Sequence, residues 1–409
     1  MNKRKILVTA TTFPRWKNDT EPNFVYVLSN LLAKKNYEVI VLVPHHYKAK
    51  KFEIMDNLRV YRFPYFYPSR LQKLCYEGGI LENLKKSLLA RIQVPFLLFF
   101  QFIYTLKIIK KEKVDLIHAH WVLPQGFLAA IIKKLYGIHF IATAHAGDIF
   151  PLKRSMLKIL AGFAIKNSSY LTTNSNFTKN SILKLRKIKN IEVIPMGVDL
   201  NDFNIKNKDN KLKKKYDVKG NLMLFVGRLA EKKGTQYLIK AMPIILEKLP
   251  KSKLIIVGDG PEREKLVKMT ENLNLENNII FVGKLKHEDL RKYYATADMF
   301  VGPSIVTEKG DTEGLGVVFL ESIASGTCVI GTNVGGIPDI IKHNKTGILV
   351  EQKNPNQLAN AVLNLLRNKN LQKKLNKNAM KHIKDLYSWG IVADKFEKVY
   401  SKVKWKQIH

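Results

Sequence analysis

The chain has 409 residues, of which 46% are hydrophobic and 25% charged. That balance excludes a disordered or fibrous protein and leaves room for two to three domains of ~150 residues, each large enough to bury its own core. Lysine and arginine (69) outnumber aspartate and glutamate (34), for a net charge of +35. A field of that sign attracts nucleotides, phosphate-linked lipid carriers, anionic membrane surfaces or nucleic acid without choosing among them, and a lysine bias of the source organism produces the same excess. The only cysteines, Cys75 and Cys328, imply no disulfide framework and point to a reducing, cytoplasmic compartment.

The basic start M-N-K-R-K precedes an apolar run that is short, interrupted by threonine and closed by Pro14 and Arg15. It reads as a first strand over 5–11 rather than a signal peptide. A helix follows over 24–34 and a strand over 38–43, with further strands at 59–63, 115–118, 139–144, 170–173 and 192–194. The apolar region 88–109 is interrupted by Arg91, Gln93, Pro95, Gln101 and Lys107. Its unbroken core is shorter than the ~20 residues of a membrane span. A buried crossover helix leading into the strand at 115 is the favoured reading. The other is a helix lying in a membrane interface, because the aromatic core from Pro95 to Tyr104 is flanked by Lys85, Lys86, Lys110, Lys111 and Lys113.

Residues 201–220 are polar and rich in lysine and asparagine, after which strand-like runs restart at 222–226, 253–257, 278–282, 299–302 and 328–331. Strands alternating with helices argue for doubly wound parallel sheets. The last stretch, 387–404, places Ile391, Val392, Phe396, Val399, Tyr400 and Val403 at a helical period. Two Rossmann-like domains facing one another across a cleft are expected: 1–200, a linker over 201–220, and 221–386, followed by the terminal segment 387–409.

The most informative stretch is 313–321, E-G-L-G-V-V-F-L-E. Gly314 and Gly316 remove side chains where a helix begins, so that backbone N–H groups and the helix dipole can meet a phosphate. Glu313 and Glu321 address different parts of one elongated ligand. Carboxylates accept paired hydrogen bonds from vicinal diols, and a nucleotide-sugar carries one diol on the sugar and one on the ribose, with the diphosphate between. The segment 224–234, L-F-V-G-R-L-A-E-K-K-G, breaks an apolar strand at Gly227 and places Arg228 and Lys233 just beyond its end. Open α/β sheets bind ligands there, and these two cations would neutralise a diphosphate.

These motifs, with L-I-I-V-G-D-G-P at 254–261, G-G-I-P-D at 335–339 and T-G at 346–347, resemble the nucleotide-sugar-binding half of the retaining family 4 glycosyltransferases, which have the GT-B fold. The first half is similar to the acceptor side of that family, through T-T-F-P-R at 11–15, D-L-I-H-A-H-W-V-L-P-Q-G at 115–126, T-A-H-A-G-D at 143–148 and V-I-P-M-G-V-D at 193–199. The resemblance spans nearly the whole chain. It implies an enzyme that moves a sugar from a nucleotide-diphosphate-sugar to a glycan, polysaccharide or lipid-linked acceptor with retention of configuration; the cysteine content places it in the cytoplasm, and the interfacial reading of 88–109 would make it peripheral to the membrane.

In that reading Arg228 and Lys233 stabilise the leaving diphosphate in place of a metal, helped by Gly227 and the backbone of Gly314, Leu315, Gly316 and Val317. Glu313 holds the donor sugar and Glu321 the ribose. His145 faces the reacting centre from the first domain. The terminal helix, with Ser388-Trp389 at its start, crosses back to that domain. No metal or other cofactor is expected: no D-x-D pair occurs in a suitable place, and Asp148, Asp259 and Asp311 are isolated. His118 and His120 read as structural. Three departures stand out. Glu21-Pro22-Asn23 replaces the family's usual glycine pair, Met196 its asparagine, and Leu315 its phenylalanine or isoleucine. The polar stretch 307–312 reads as a loop over the donor. The alternatives are another GT-B enzyme, such as a nucleotide-sugar epimerase or phosphorylase, and a basic nucleic-acid-binding protein, for which no recognisable module speaks.

Overall fold

A computed structural model describes residues 3–17, 19, 21–150 and 155–405; residues 406–409 of the expected terminal segment lie outside them. The chain divides into two compact units. The first comprises residues up to Asn174, Thr178–Ile194 and everything from Val392 onward; the second comprises Ser175–Phe177 and Pro195–Ile391.

The first unit holds an eight-stranded sheet built from β1 (Arg4–Thr9), β2 (Tyr37–Pro44), β3 (Phe52–Met55), β4 (Leu58–Phe63), β5 (Leu116–His120), β6 (Phe140–Ala144), β7 (Tyr170–Thr173) and β8 (Ile191–Val193), in the spatial order β3-β4-β2-β1-β5-β6-β7-β8. All pairings are parallel except β3 with β4. The inner strands β5 and β6 are buried at every position, because helices cover both faces of a parallel sheet, and their polar members are bonded, His118 to Thr143 and Tyr400 and His120 to His145 just past β6. The expected all-parallel sheet therefore gains one antiparallel edge strand. Phe52 and Ile54 of that strand are exposed, so it carries no continuous apolar signal.

The second unit holds a six-stranded parallel sheet of β9 (Leu222–Val226), β10 (Lys253–Val257), β11 (Ile279–Gly283), β12 (Met299–Gly302), β13 (Cys328–Thr332) and β14 (Ile348–Val350), ordered β11-β10-β9-β12-β13-β14. In each sheet the strand order reverses once next to the first strand laid down. Loops leaving β1 and β5, and likewise β9 and β12, diverge there and open a crevice at the carboxyl ends of the strands, the position at which doubly wound folds bind ligands.

Two expected boundaries move. The division falls at Ile194/Pro195 rather than at 200, and the stretch 201–220 is folded onto the second unit instead of standing apart as a linker. Within it a short helix, Asn210–Lys215, is held by Lys213 Nζ on Asp298 (2.7 Å) and by the hydroxyls of Tyr216 and Tyr293 (2.7 Å), while the Asp209 N–H donates to Thr296 (2.9 Å). Its polarity reflects ion pairs with the α/β body, which composition alone does not distinguish from a solvated tether.

The terminal helix spans Trp389–Ser401. Its start belongs to the second unit: the Val198 N–H donates to the Tyr387 carbonyl (2.8 Å), and the Trp389 ring lies over Gly197, where a Cβ would sit 2.5 Å from the indole. From Val392 the chain is part of the first unit. Asp394 and Glu397 pair with Lys35 at 2.6 and 2.7 Å, Phe396 packs on the His118 ring, and the Tyr400 hydroxyl meets His118 Nδ1 at 2.8 Å.

Candidate active site

In the second unit, the sequence-derived site residues gather where the loops after β9 and β12 diverge. Gly227 and Arg228 directly follow β9, and Lys233 closes a single 3-10 turn, Glu231–Lys233. Gly234 after it adopts a left-handed conformation (φ +63°) so close to Pro303 that a Cβ would sit 2.0 Å from that carbonyl oxygen. Only glycine permits this approach, which clamps the β9 loop onto the β12 loop. Lys233 Nζ then donates to a carboxylate oxygen of Glu313, with their side chains 17% and 14% exposed. Lys232 pairs with Asp311 at 3.1 Å and ties the 307–312 segment to the same turn.

The helix Val317–Ala324 starts after Gly316, which has φ +90° and no side-chain cap. The first N–H groups of this helix therefore lack a side-chain acceptor, the arrangement that receives an anion. Two glycines from the neighbouring turn seat the loop. A Cβ on Gly335 would lie 2.1 Å from the Glu313 carbonyl and one on Gly336 2.2 Å from that of Gly314, and the Gly336 N–H donates to the Glu313 carbonyl at 3.0 Å. The helix is anchored from behind by Phe319, edge-on to Phe300 at 5.2 Å, in space that Gly302 and Gly331 leave free. Leu315, one of the departures from the family pattern, is buried.

The two glutamates differ in charge state. Burial raises the Glu313 carboxyl, but the attraction and hydrogen bond of Lys233 outweigh it and leave the group below its usual range, so it is ionised. Glu321, on the second turn of the helix, receives the Tyr294 hydroxyl (2.8 Å), and burial pushes it up to about 7.

In the first unit, His145 follows β6 and His120 ends β5. The nitrogens His145 Nε2 and His120 Nδ1 are 2.9 Å apart and the rings stack at 5.2 Å; Phe24 and Trp121 stand 5.0 and 4.9 Å from the His145 ring. Asp148 joins the two strand ends by accepting from the N–H groups of Val122 (2.6 Å) and His145 (3.0 Å); burial nevertheless raises it to about 6. Trp121 and Ala146, the residues after the two histidines, have φ of +79° and +72°. Non-glycine residues held in that region cost of order 1–3 kcal/mol each and concentrate at functional sites. Burial lowers His145 to about 3 and takes His120 well below the ordinary range, with like charges adding to both, so the pair is neutral.

His118 behaves as a core histidine, bonded to Thr143 (2.7 Å) and Tyr400. His120 does not, because it contacts His145 directly. Its spacing from His118 could not reveal this, since the partner arrives from the adjacent strand 25 residues later. Tyr294 as the support of Glu321 was equally invisible. Glu21, in the departure from the glycine pair, accepts from the Glu77 N–H at 3.2 Å. The structure thus brings Gly227, Lys233, Glu313, Gly314, Leu315, Gly316 and Val317 together, with Arg228 and Glu321 on the same loop and helix, and holds His145 at the corresponding crevice of the other unit.

Two doubly wound α/β units, one with paired charges beside an uncapped helix start and the other with a caged histidine, define a glycosyltransferase of the GT-B fold. Residues 206–382 match the family model described as glycosyl transferases group 1, and residues 22–202 that of glycosyltransferase family 4. An uncharacterized glycosyltransferase of Methanocaldococcus jannaschii is 31% identical over 300 residues, covering 72% of this chain and 78% of that protein. The fold is similar to that of sucrose-phosphate synthase from Thermosynechococcus elongatus, with TM-score 0.79 and 21% identity over 98% of this chain and 99% of the other. It is also similar to Anabaena HepE in complex with UDP-glucose, with TM-score 0.73 and 18% identity over 98% and 100%. The chain belongs to the group 1, family 4 glycosyltransferases.

Proposed function

We propose that this glycosyltransferase moves a sugar from a nucleotide-diphosphate-sugar to a glycan, polysaccharide or lipid-linked acceptor in the cytoplasm, with retention of configuration and without a metal. The observation that carries the reading is the half-buried Lys233–Glu313 pair beside the Val317 helix start. Desolvating such a pair adds little net stability. Its place at the strand-order reversal suits ligand binding instead, and HepE, of similar fold, is seen with UDP-glucose.

Breaking the anomeric C–O bond leaves an oxocarbenium-like sugar and builds negative charge on the diphosphate, and fixed charges that meet it lower the barrier. Arg228 and Lys233 supply positive charge, and the N–H groups around Leu315 to Val317 supply dipoles, which is the physical case for metal independence. Glu313, ionised, accepts hydrogen bonds from sugar hydroxyls, and Glu321 from the ribose diol. His145, being neutral, can donate or accept a hydrogen bond at the sugar without adding charge. Attack from the face of the departing phosphate, with that phosphate taking the acceptor's proton, gives retention without a covalent intermediate.

The test is a panel of nucleotide-sugars screened by thermal shift, since a ligand bound only by the folded state raises its melting point. It is followed by release of nucleoside diphosphate with and without acceptor, in the presence and absence of a chelator. Release only with acceptor, unaffected by chelation, and a product with the donor's anomeric configuration are expected. Inverted product, or activity abolished by chelation and restored by a divalent cation, would sink the corresponding part.

A further inference from the structure

The long apolar helix of the first unit, Leu88–Glu112, buries a mixed stripe in which polar side chains stand among Ala90, Leu97, Ile108 and Ile109, and leaves large apolar side chains outside. Its inward stripe includes Gln93, Gln101, Thr105 and Glu112, all buried. Several are fixed by hydrogen bonds: Gln93 accepts from the Lys73 N–H (3.0 Å) and donates to the Leu71 carbonyl, and Glu112 takes Arg59 and the Tyr61 hydroxyl. Those bonds lock the helix rotation. The opposite face then presents Leu88, Ile92, Phe96 and Phe99, which are 70, 51, 43 and 58% exposed and lie at spacings of four, four and three along one stripe. The neighbouring turn extends the patch: Phe66 packs edge-on against Phe96 at 5.6 Å, next to Tyr67, which is 89% exposed.

The rim of this patch has one dominant sign. Between residues 69 and 107 there are six lysines and arginines against two glutamates, and Lys85, Lys86 and Arg91 are all exposed at the amino-terminal end of the stripe. We infer that this face docks on an anionic lipid bilayer surface, with the helix lying in the interface plane, its phenylalanines entering the acyl boundary and the basic rim on the headgroups. Apolar side chains projecting from a basic surround match that environment, which rewards both the buried apolar area and the positive charge. A second copy of the chain fits less well, because a two-fold contact would set the same basic rim against itself. The helix is long and apolar enough to cross a membrane by length and composition, but a third of its most apolar window is buried in the protein. Gln93 is committed to the protein through the Lys73 N–H and the Leu71 carbonyl, and Glu112 through Arg59 and Tyr61, so the helix lies on the surface rather than spanning. The inference does not depend on which sugar is transferred.

The experiment is co-sedimentation of the full chain with vesicles of phosphatidylcholine alone and of phosphatidylcholine with 30% phosphatidylglycerol, at low salt and at 0.5 M salt. Binding to the anionic vesicles only, weakened by salt, is expected. Lys85→Glu with Lys86→Glu should lower the partition coefficient by about tenfold or more, and Phe96→Ser with Phe99→Ser should abolish binding. As a check independent of those variants' folding, the indole introduced by Phe99→Trp should shift its emission to the blue on adding anionic vesicles. Equal binding to both vesicle types, binding that ignores the charge reversals, an unshifted emission in the Phe99→Trp variant, or concentration-dependent self-association lost in Phe96→Ser with Phe99→Ser would each overturn the inference.

Discussion

His120 Nδ1 and His145 Nε2 share one hydrogen bond of 2.9 Å between two neutral rings, so the tautomer of each histidine is set by the other. Because burial holds both far below the ordinary histidine range, turnover should show no ionisation near pH 6.5 attributable to His145. A limb at that pH that disappears in His145→Ala would contradict the assignment. His145→Ala itself should depress kcat by about a hundredfold. His120→Ala, which leaves His145 in place but free to rotate, should cost about tenfold in kcat with the donor KM little changed.

Histidines held neutral in the fold also make stability depend on pH. For His118, His120 and His145 the folded pKa lies below the unfolded value of about 6.5. Between the two values the unfolded chain binds the extra protons. Their contribution is fully present above pH 6.5 and is lost as the pH falls below it. Thermal melts from pH 7.5 down to 5 should show the first unit losing stability, with a shallower slope in His145→Phe than in wild type.

Glu321 acts in the opposite sense. Its folded value of about 7 stands above the unfolded one. The native state therefore holds a proton that the unfolded chain has released, and the penalty grows as pH rises from about 4.5 to 7. Glu321→Gln should be more stable than wild type at pH 8, by up to about 3 kcal/mol, and show no difference below pH 4.5. The same variant should raise the donor KM if Glu321 holds the ribose as proposed, because the amide keeps only one of the two acceptor oxygens a diol can use. Equal stability of the two proteins across that range would show that Glu321 is not buried in neutral form.

Lys233→Ala leaves the Glu313 carboxylate without its compensating charge, and Glu313→Ala strands the ammonium. Each should lower turnover by about a hundredfold, as removal of one charge-stabilising group does. The double variant should lose much less than the product of the two, because residues in direct contact are not additive. Near wild-type rates in Glu313→Ala would refute its role at the sugar.

Gly336→Ala places a methyl 2.2 Å from the Gly314 carbonyl. The loop carrying Glu313 must move, at a cost of about 1–3 kcal/mol. The expected result is a lowered melting point of the second unit together with a raised donor KM, measured by thermal shift with and without nucleoside diphosphate. A variant that binds nucleotide as wild type does would show that the 313–316 backbone takes no part in the site.

Most of this fold was legible. The strands at 222–226, 253–257 and 299–302 and the helix at 24–34 are where the apolar runs place them, because a strand buried on both faces announces itself by an unbroken run. Phe52–Met55, exposed at Phe52 and Ile54, and Ile348–Val350, only three residues long, carry no such signal. The site was legible where one segment carries it, as at 313–321 and 227–233. It was not where the partners meet only through sheet order, as with His120 beside His145, Tyr294 beneath Glu321, and the glycines at 335 and 336 under the Glu313 loop.

The return of the chain from Val392 into the first unit bears on any attempt to dissect this enzyme. A fragment ending at Ile194 would keep all eight strands yet strip the indole, phenol and phenyl rings of Trp405, Tyr400 and Phe396 from Tyr37 and His118. That would open an apolar trough along the sheet. A first unit made for separate study must therefore carry the last segment grafted back on, or be reconstituted with it as a peptide.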